Sequence, residues 1–105
     1  MVKIMKHYIL DPNGTPVVEP DLEKWARWYE TADTIASYSV IGDSAIRTKF
    51  LGISWTDDSP YLWETKVLGG RCDQLTDRCP GTREQAEAMH ARMAARVQLL
   101  IENHA

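Results

Sequence analysis

The side chains in this sequence that could do chemistry are few and scattered. His90 stands on a helical apolar stripe between Met89 and Met93. An imidazole can act as a general base or a metal ligand near neutral pH. A base needs a nucleophile and an orienting acid within reach, and no spacing here supplies them. The competing reading is a packed histidine whose ring nitrogens are satisfied by its neighbours. Cys72 and Cys79 would need two further ligands to hold zinc, and His90 and His104 have no familiar zinc spacing to them. A hairpin disulfide is geometrically open to the two cysteines but disfavoured in a reducing compartment, which leaves two ordinary thiols as the simpler reading. Asp57-Asp58-Ser59 offers oxygens to a divalent cation, yet it lacks the glycine and closing glutamate of an EF-hand loop. The expectation there is a solvated acidic turn that could form the rim of a contact with a basic protein. These residues point to no catalytic centre, no metal site and no cofactor.

The candidates for binding are different residues. Trp28 lies off the apolar stripe of its helix, beside Lys24 and Arg27. It either packs at the edge of the core or stands as a partner-binding anchor, a role in which tryptophan is enriched. Further on, Ile46 and Phe50 share one face of an extended stretch, whereas Leu51, Ile53 and Trp55 share the other. Two readings stay open. Gly52 sits in a bulge that flips the phase and returns Ile53 and Trp55 to the core, or the three form an apolar patch covered by a partner. A patch of that kind, buried across a two-fold axis, would make a homodimer. The sites to watch are therefore Lys24, Trp28, Trp55, Asp57 and Asp58 for a partner, and Leu51, Ile53 and Trp55 for self-association.

The elements that must position these residues follow from periodicity and turn signals. Val2–Leu10 reads as a strand, ended by the turn residues Asp11-Pro12-Asn13-Gly14. Leu22, Trp25, Ala26 and Tyr29 fall on one face of a helix over Asp21–Ala32, with Glu23, Lys24, Arg27 and Glu30 opposite. Ile35–Ile41, Ile46–Trp55 and Leu62–Leu68 read as three strands, the first two joined by Gly42-Asp43, and Gln74–Cys79 as a short edge strand. Thr82-Arg83-Glu84-Gln85 has the form of a capping box, opening a helix whose stripe runs through Ala86, Met89, Met93, Val97 and Leu100. The order β-α-β-β-β-(β)-α predicts an α+β fold, an antiparallel sheet of four to five strands with both helices on one face. Tyr61, Trp63, Thr65 and Val67 should face the helices, with Glu64 and Lys66 outside.

Composition bounds the function. The 105 residues are 44% hydrophobic and 26% charged, which suits one ordinary globular domain. Twelve basic against fifteen acidic residues leave a formal charge of −3. That balance argues against direct nucleic-acid binding driven by phosphate contacts. Lysines interrupt the N-terminal apolar residues, and no apolar run reaches a membrane span, so the chain reads as cytoplasmic with no membrane partner.

Several blocks together resemble a group of short, uncharacterised proteins encoded by tailed phages and prophages. They are Lys6-His-Tyr-Ile-Leu-Asp-Pro, Glu19-Pro-Asp-Leu with Trp25-Ala-Arg-Trp-Tyr, Phe50-Leu-Gly-Ile, Leu62-Trp-Glu-Thr through Gly69-Gly70, and Thr82-Arg-Glu-Gln-Ala followed by His90. The likeness runs from Lys6 to about Ala94, and each block is a structural signature rather than a reaction motif. The resemblance implies a small accessory phage product that works in the host cytoplasm by occupying the surface of a host protein complex. An inhibitor of bacterial defence of the anti-CRISPR type is the leading expectation. A binder that sequesters a small ligand or nucleotide signal is the alternative, supported by four tryptophans and four tyrosines that could stack on bases. A structural virion or moron protein comes third.

Overall fold

The computed structural model describes residues 5–55 and 60–103. Its nine elements are β1 (Lys6–Leu10), β2 (Pro16–Val18), α1 (Leu22–Thr31), β3 (Ile35–Ile41), β4 (Ser44–Phe50), β5 (Ile53–Ser54), β6 (Trp63–Leu68), β7 (Thr76–Cys79) and α2 (Arg83–Glu102). The fold is α+β. Its strands form two antiparallel sheets rather than the single sheet the sequence suggests: β3-β4-β6-β7, and a small β2-β1-β5.

The split occurs at Gly52. The expected strand Ile46–Trp55 stops at Phe50, and Gly52 takes a φ of +74° that a side chain would resist. Its carbonyl accepts from the Tyr8 N–H at 2.7 Å, and the chain then pairs with β1 as β5. A Cβ placed on Gly52 would lie 3.1 Å from the Tyr29 ring and 3.3 Å from Trp25 Nε1. One residue thus hands the chain from the large sheet to the small one, directly under α1.

Alternation within β4 and β6 builds the inner face of the large sheet. Ile46 opposes Val67, Thr48 opposes Thr65 and Phe50 opposes Trp63, all fully buried. Helix α2 closes this face with Ala86, Met89, His90, Met93 and Val97, and Thr82 and Gln85 form the reciprocal capping box that starts it. Two apolar clusters result. One joins Phe50, Leu62, Trp63, Ala86, Met89 and Tyr8; the other joins Ile46, Val67, Cys72, Met93 and Val97.

Helix α1 is held differently. Asp21 caps it by accepting from the N–H groups of Glu23 and Lys24. None of its residues is fully buried. Trp25 Nε1 donates to the Tyr8 carbonyl at 3.0 Å, Tyr29 donates its hydroxyl to the Phe50 carbonyl at 2.8 Å, and Trp28 packs edge-on against Phe50. Trp28 and Tyr29 therefore join the same cluster that α2 closes with Ala86 and Met89. Leu22, placed on the buried stripe by spacing, is exposed, because only the C-terminal part of the stripe reaches Phe50.

Two further expectations need correction. Tyr61 is 58% exposed rather than facing the helices, since β6 begins only at Trp63 and Leu62 turns inward instead. Glu64 does lie on the outer face, but its side chain is largely covered by Arg78, which bridges it from β7 at 2.9 Å.

Because Gly52 needs both positive φ and an absent side chain, Gly52→Ala is expected to cost about 1–3 kcal/mol. Urea unfolding checks this; an unchanged midpoint would show that the crossover tolerates a Cβ.

Candidate functional site

Among the described residues, a buried cluster of polar side chains is centred on His90. Along the inner face, the Thr48–Thr65 pair separates the two apolar clusters, and the stripe of α2 presents His90 at the same level. Thr48 Oγ1 lies 2.5 Å from Thr65 Oγ1 and 2.8 Å from His90 Nδ1. On its other side His90 Nε2 meets Ser39 Oγ of β3 at 2.7 Å. Both ring nitrogens thus have hydroxyl partners, and a hydroxyl can donate or accept as the tautomer requires. No buried side-chain nitrogen or oxygen among the described residues lacks a partner.

Geometry decides what this cluster can do. A serine hydroxyl on an imidazole is half of a nucleophilic device, but the position of the orienting acid is taken by Thr48, which carries no charge. Among the described residues, His90 hydrogen-bonds to no carboxylate. The imidazole is only 6% exposed, and burial pushes its pKa below the ordinary histidine value. The ring is therefore neutral at physiological pH and almost wholly shielded from solvent. The arrangement is that of a satisfied core histidine.

The cysteines do not come together as a site. Cys72 is buried in the second cluster and Cys79 is half-buried on β7; both are free thiols. Burial raises the Cys79 pKa, with Arg92 opposing and Asp77 adding to the shift, so the thiol is held in its less reactive form. Among the described residues, no group of three His, Cys, Asp or Glu side chains is placed to hold a metal ion. Asp57 and Asp58, the acidic tip singled out in the sequence, lie outside the described residues.

The candidate binding residues divide between two places. Leu51, Ile53 and Trp55 line one open depression together with Ser54, Tyr61 and Arg78. Neither of the two phase readings describes this fully. Gly52 does leave regular strand geometry, yet Ser54 is the residue buried beyond it, and Trp55 is 58% exposed. The three apolar side chains still share one surface because the break redirects the strand without burying it. Trp28 is instead half-buried on Phe50, and Lys24 is exposed on α1; neither lines the depression around Trp55.

Sequence reasoning missed Tyr61, Arg78 and Ser39. The alternation of β6, carried two residues before its start at Trp63, predicts an inward Tyr61, which is exposed instead. The pairing of Ser39 with His90 needs the β3–β4 register and the α2 packing together, and neither is visible in local pattern. Comparison with protein-family models, curated proteins and solved structures finds no match to this chain. Among the described residues, no helix is long and apolar enough to cross a membrane.

The depressed His90 pKa sets a pH dependence. Unfolding restores the imidazole to an ordinary value of about 6.5, so the unfolded chain binds the extra proton. The stability this group contributes is complete above about pH 6.5 and falls as the pH drops through and below that value. His90→Gln should flatten this part of the urea midpoint against pH between about pH 8 and pH 5. Thr48→Val, which strands His90 Nδ1 and Thr65 Oγ1, is expected to cost about 1–3 kcal/mol. The exposed Thr76→Val serves as its control, and equal losses at both positions would show that the buried layer carries no special weight.

Proposed function

We propose that this protein is a non-enzymatic accessory protein that binds a host protein complex and occupies its surface. In the phage setting implied by the sequence resemblance, the complex would belong to a bacterial defence system, with an anti-CRISPR-type inhibitor as the specific form, acting in the host cytoplasm. The observation that carries the reading is the surface on which exposed Trp55 and Tyr61 stand with half-buried Leu51 and Ile53 beside Arg78. Two large aromatic side chains left in water next to an arginine have the composition of an interface anchor. The enclosure of His90 supports a binding role over a hydrolytic one. A small-ligand pocket gains less support, because Tyr8, Trp25, Trp28, Tyr29 and Trp63 are committed to packing or backbone hydrogen bonds.

The test is phage plaquing on strains that each carry one defined defence system, with and without this protein. Restored plaquing on at least one strain, lost with Trp55→Ala plus Tyr61→Ala, is the expected result. Restoration that survives both substitutions would move the interface elsewhere, and no restoration across a broad panel would overturn the defence reading.

The same depression supports a second reading, a homodimer across a two-fold axis. Trp55→Asp should then convert a dimer to a monomer in sedimentation equilibrium while the helical circular dichroism is retained. A monomer mass for the unaltered protein at micromolar concentration rules that dimer out.

A further inference from the structure

The solvent face of the large sheet has a charge opposite in sign to that of the whole chain. Register places Tyr38, Arg47, Lys66 and Thr76 in one row across β3, β4, β6 and β7, and Lys49, Glu64 and Arg78 in the row beside it. The residues between them point inward: Ile46, Thr48, Thr65 and Val67 are buried under α2. Four cations and one carboxylate therefore share a single face, and that carboxylate is bridged to Arg78. Among the described residues, Arg47, Lys49 and Lys66 have no ion-pair partner. Arg47 stands directly opposite Lys66, and like charges opposite one another destabilise a sheet. A bound anion removes that penalty. Tyr38 is 62% exposed at one edge of this face, and Tyr61 is exposed beside Arg78 towards the other.

We infer that this face is a binding platform for single-stranded nucleic acid. Phosphates lie over Arg47, Lys66 and Lys49, and bases stack on the rings of Tyr38 and Tyr61. Open antiparallel sheets that set aromatic rings among cations hold single strands in this way, since every base has a face to stack. A duplex fits less well: the face offers a sheet surface and no helix to enter a groove, since α2 is engaged with the core on the opposite side. The charge of −3 does not oppose the assignment. Screening over about 8–10 Å at physiological salt means that a bound strand responds to the local excess of positive charge. The whole-chain charge balance averages this excess away, and the inference departs on that ground from the expectation of no nucleic-acid binding. It shares Tyr61 and Arg78 with the proposed protein interface but is tested apart from it, because Arg47, Lys66 and Tyr38 lie outside the depression around Trp55.

The experiment is fluorescence anisotropy with labelled oligothymidylate and oligouridylate of about 12 nucleotides. Binding should weaken with salt, with a slope of log affinity against log salt of about −2 to −3, as three or four phosphate contacts require. Arg47→Glu with Lys66→Glu should lower affinity at least tenfold (~10) and flatten the slope. Tyr38→Ala should weaken binding several-fold and leave the slope unchanged, because stacking releases no counterions. All three side chains point outward, so circular dichroism should be that of the unaltered protein. No binding at about 50 mM salt overturns the inference, as does a charge-reversed variant that binds as well as the original. Displacement by polyglutamate as effective as by unlabelled oligothymidylate at equal charge also overturns it, and assigns the face to an acidic protein instead.

Discussion

The hydrogen-bonded layer of Thr48, Thr65, His90 and Ser39 is the constraint on which the rest of the structure depends. It joins three strands and a helix at one level of the core: β3 through Ser39, β4 and β6 through the threonine pair, and α2 through the imidazole. Apolar packing above and below tolerates sliding, because Met89 and Met93 are flexible and nearly equivalent as fillers. The polar layer does not. Moving α2 along the sheet would set methionine against two threonine hydroxyls and push the imidazole into an apolar cluster. Each stranded group would cost about 1–3 kcal/mol, a large share of a small domain's stability. The layer acts as a key between two otherwise smooth surfaces, the role in which buried polar groups best specify a single packing.

A second fastening, at Arg83, joins the start of α2 to the elements that precede it. Its N–H donates to the Gly14 carbonyl, its guanidinium donates to the Asp33 carbonyl, and its charge lies 5.9 Å from the centre of the Trp63 ring. The turn after β1, the exit from α1 and the start of β6 are thus tied to one helix N-terminus. Together with the crossover at Gly52, this explains how a helix with no fully buried residue is held firmly. Helix α1 is anchored by three aromatic side chains to backbone and ring partners on β1 and β4 rather than by an apolar face of its own.

The surface left by this construction is uneven. The polar layer and the apolar clusters use one face of the large sheet, which leaves the other to water with its lysines and arginines upright. The turn of the chain at Gly52 leaves Trp55 and Tyr61 at the end of that face, where an uninterrupted strand would have ordered them differently. Apart from Glu64, which Arg78 bridges, the described acidic residues lie away from this face, on the helices, in the turns and at Asp77 of β7. A chain of mildly acidic composition can therefore present a locally basic surface. Charge counted along a sequence says little about what any one face attracts.

The elements themselves were legible in the sequence. Ile35–Ile41 is a strand over those same residues, the helix expected over Asp21–Ala32 forms over Leu22–Thr31, and Thr82 caps α2 where the capping box placed it. These features are local: a capping box, a 3.6-residue stripe and a two-residue turn depend on neighbours a few positions away. The sequence by itself also determined that β4 and β6 are two-faced and that His90 lies on an apolar stripe. Tertiary structure alone decided which hydroxyls satisfy that histidine, because Ser39 and Thr48 lie 51 and 42 positions from it. It also decided that the strand beyond Phe50 leaves its sheet, since nothing local separates a glycine in a bulge from one at a crossover until β1 supplies the new partner. The grouping of Arg47, Lys49, Lys66 and Arg78 on one face has the same origin: it follows from the register of three strand pairs, a relation between distant segments that no window along the chain contains.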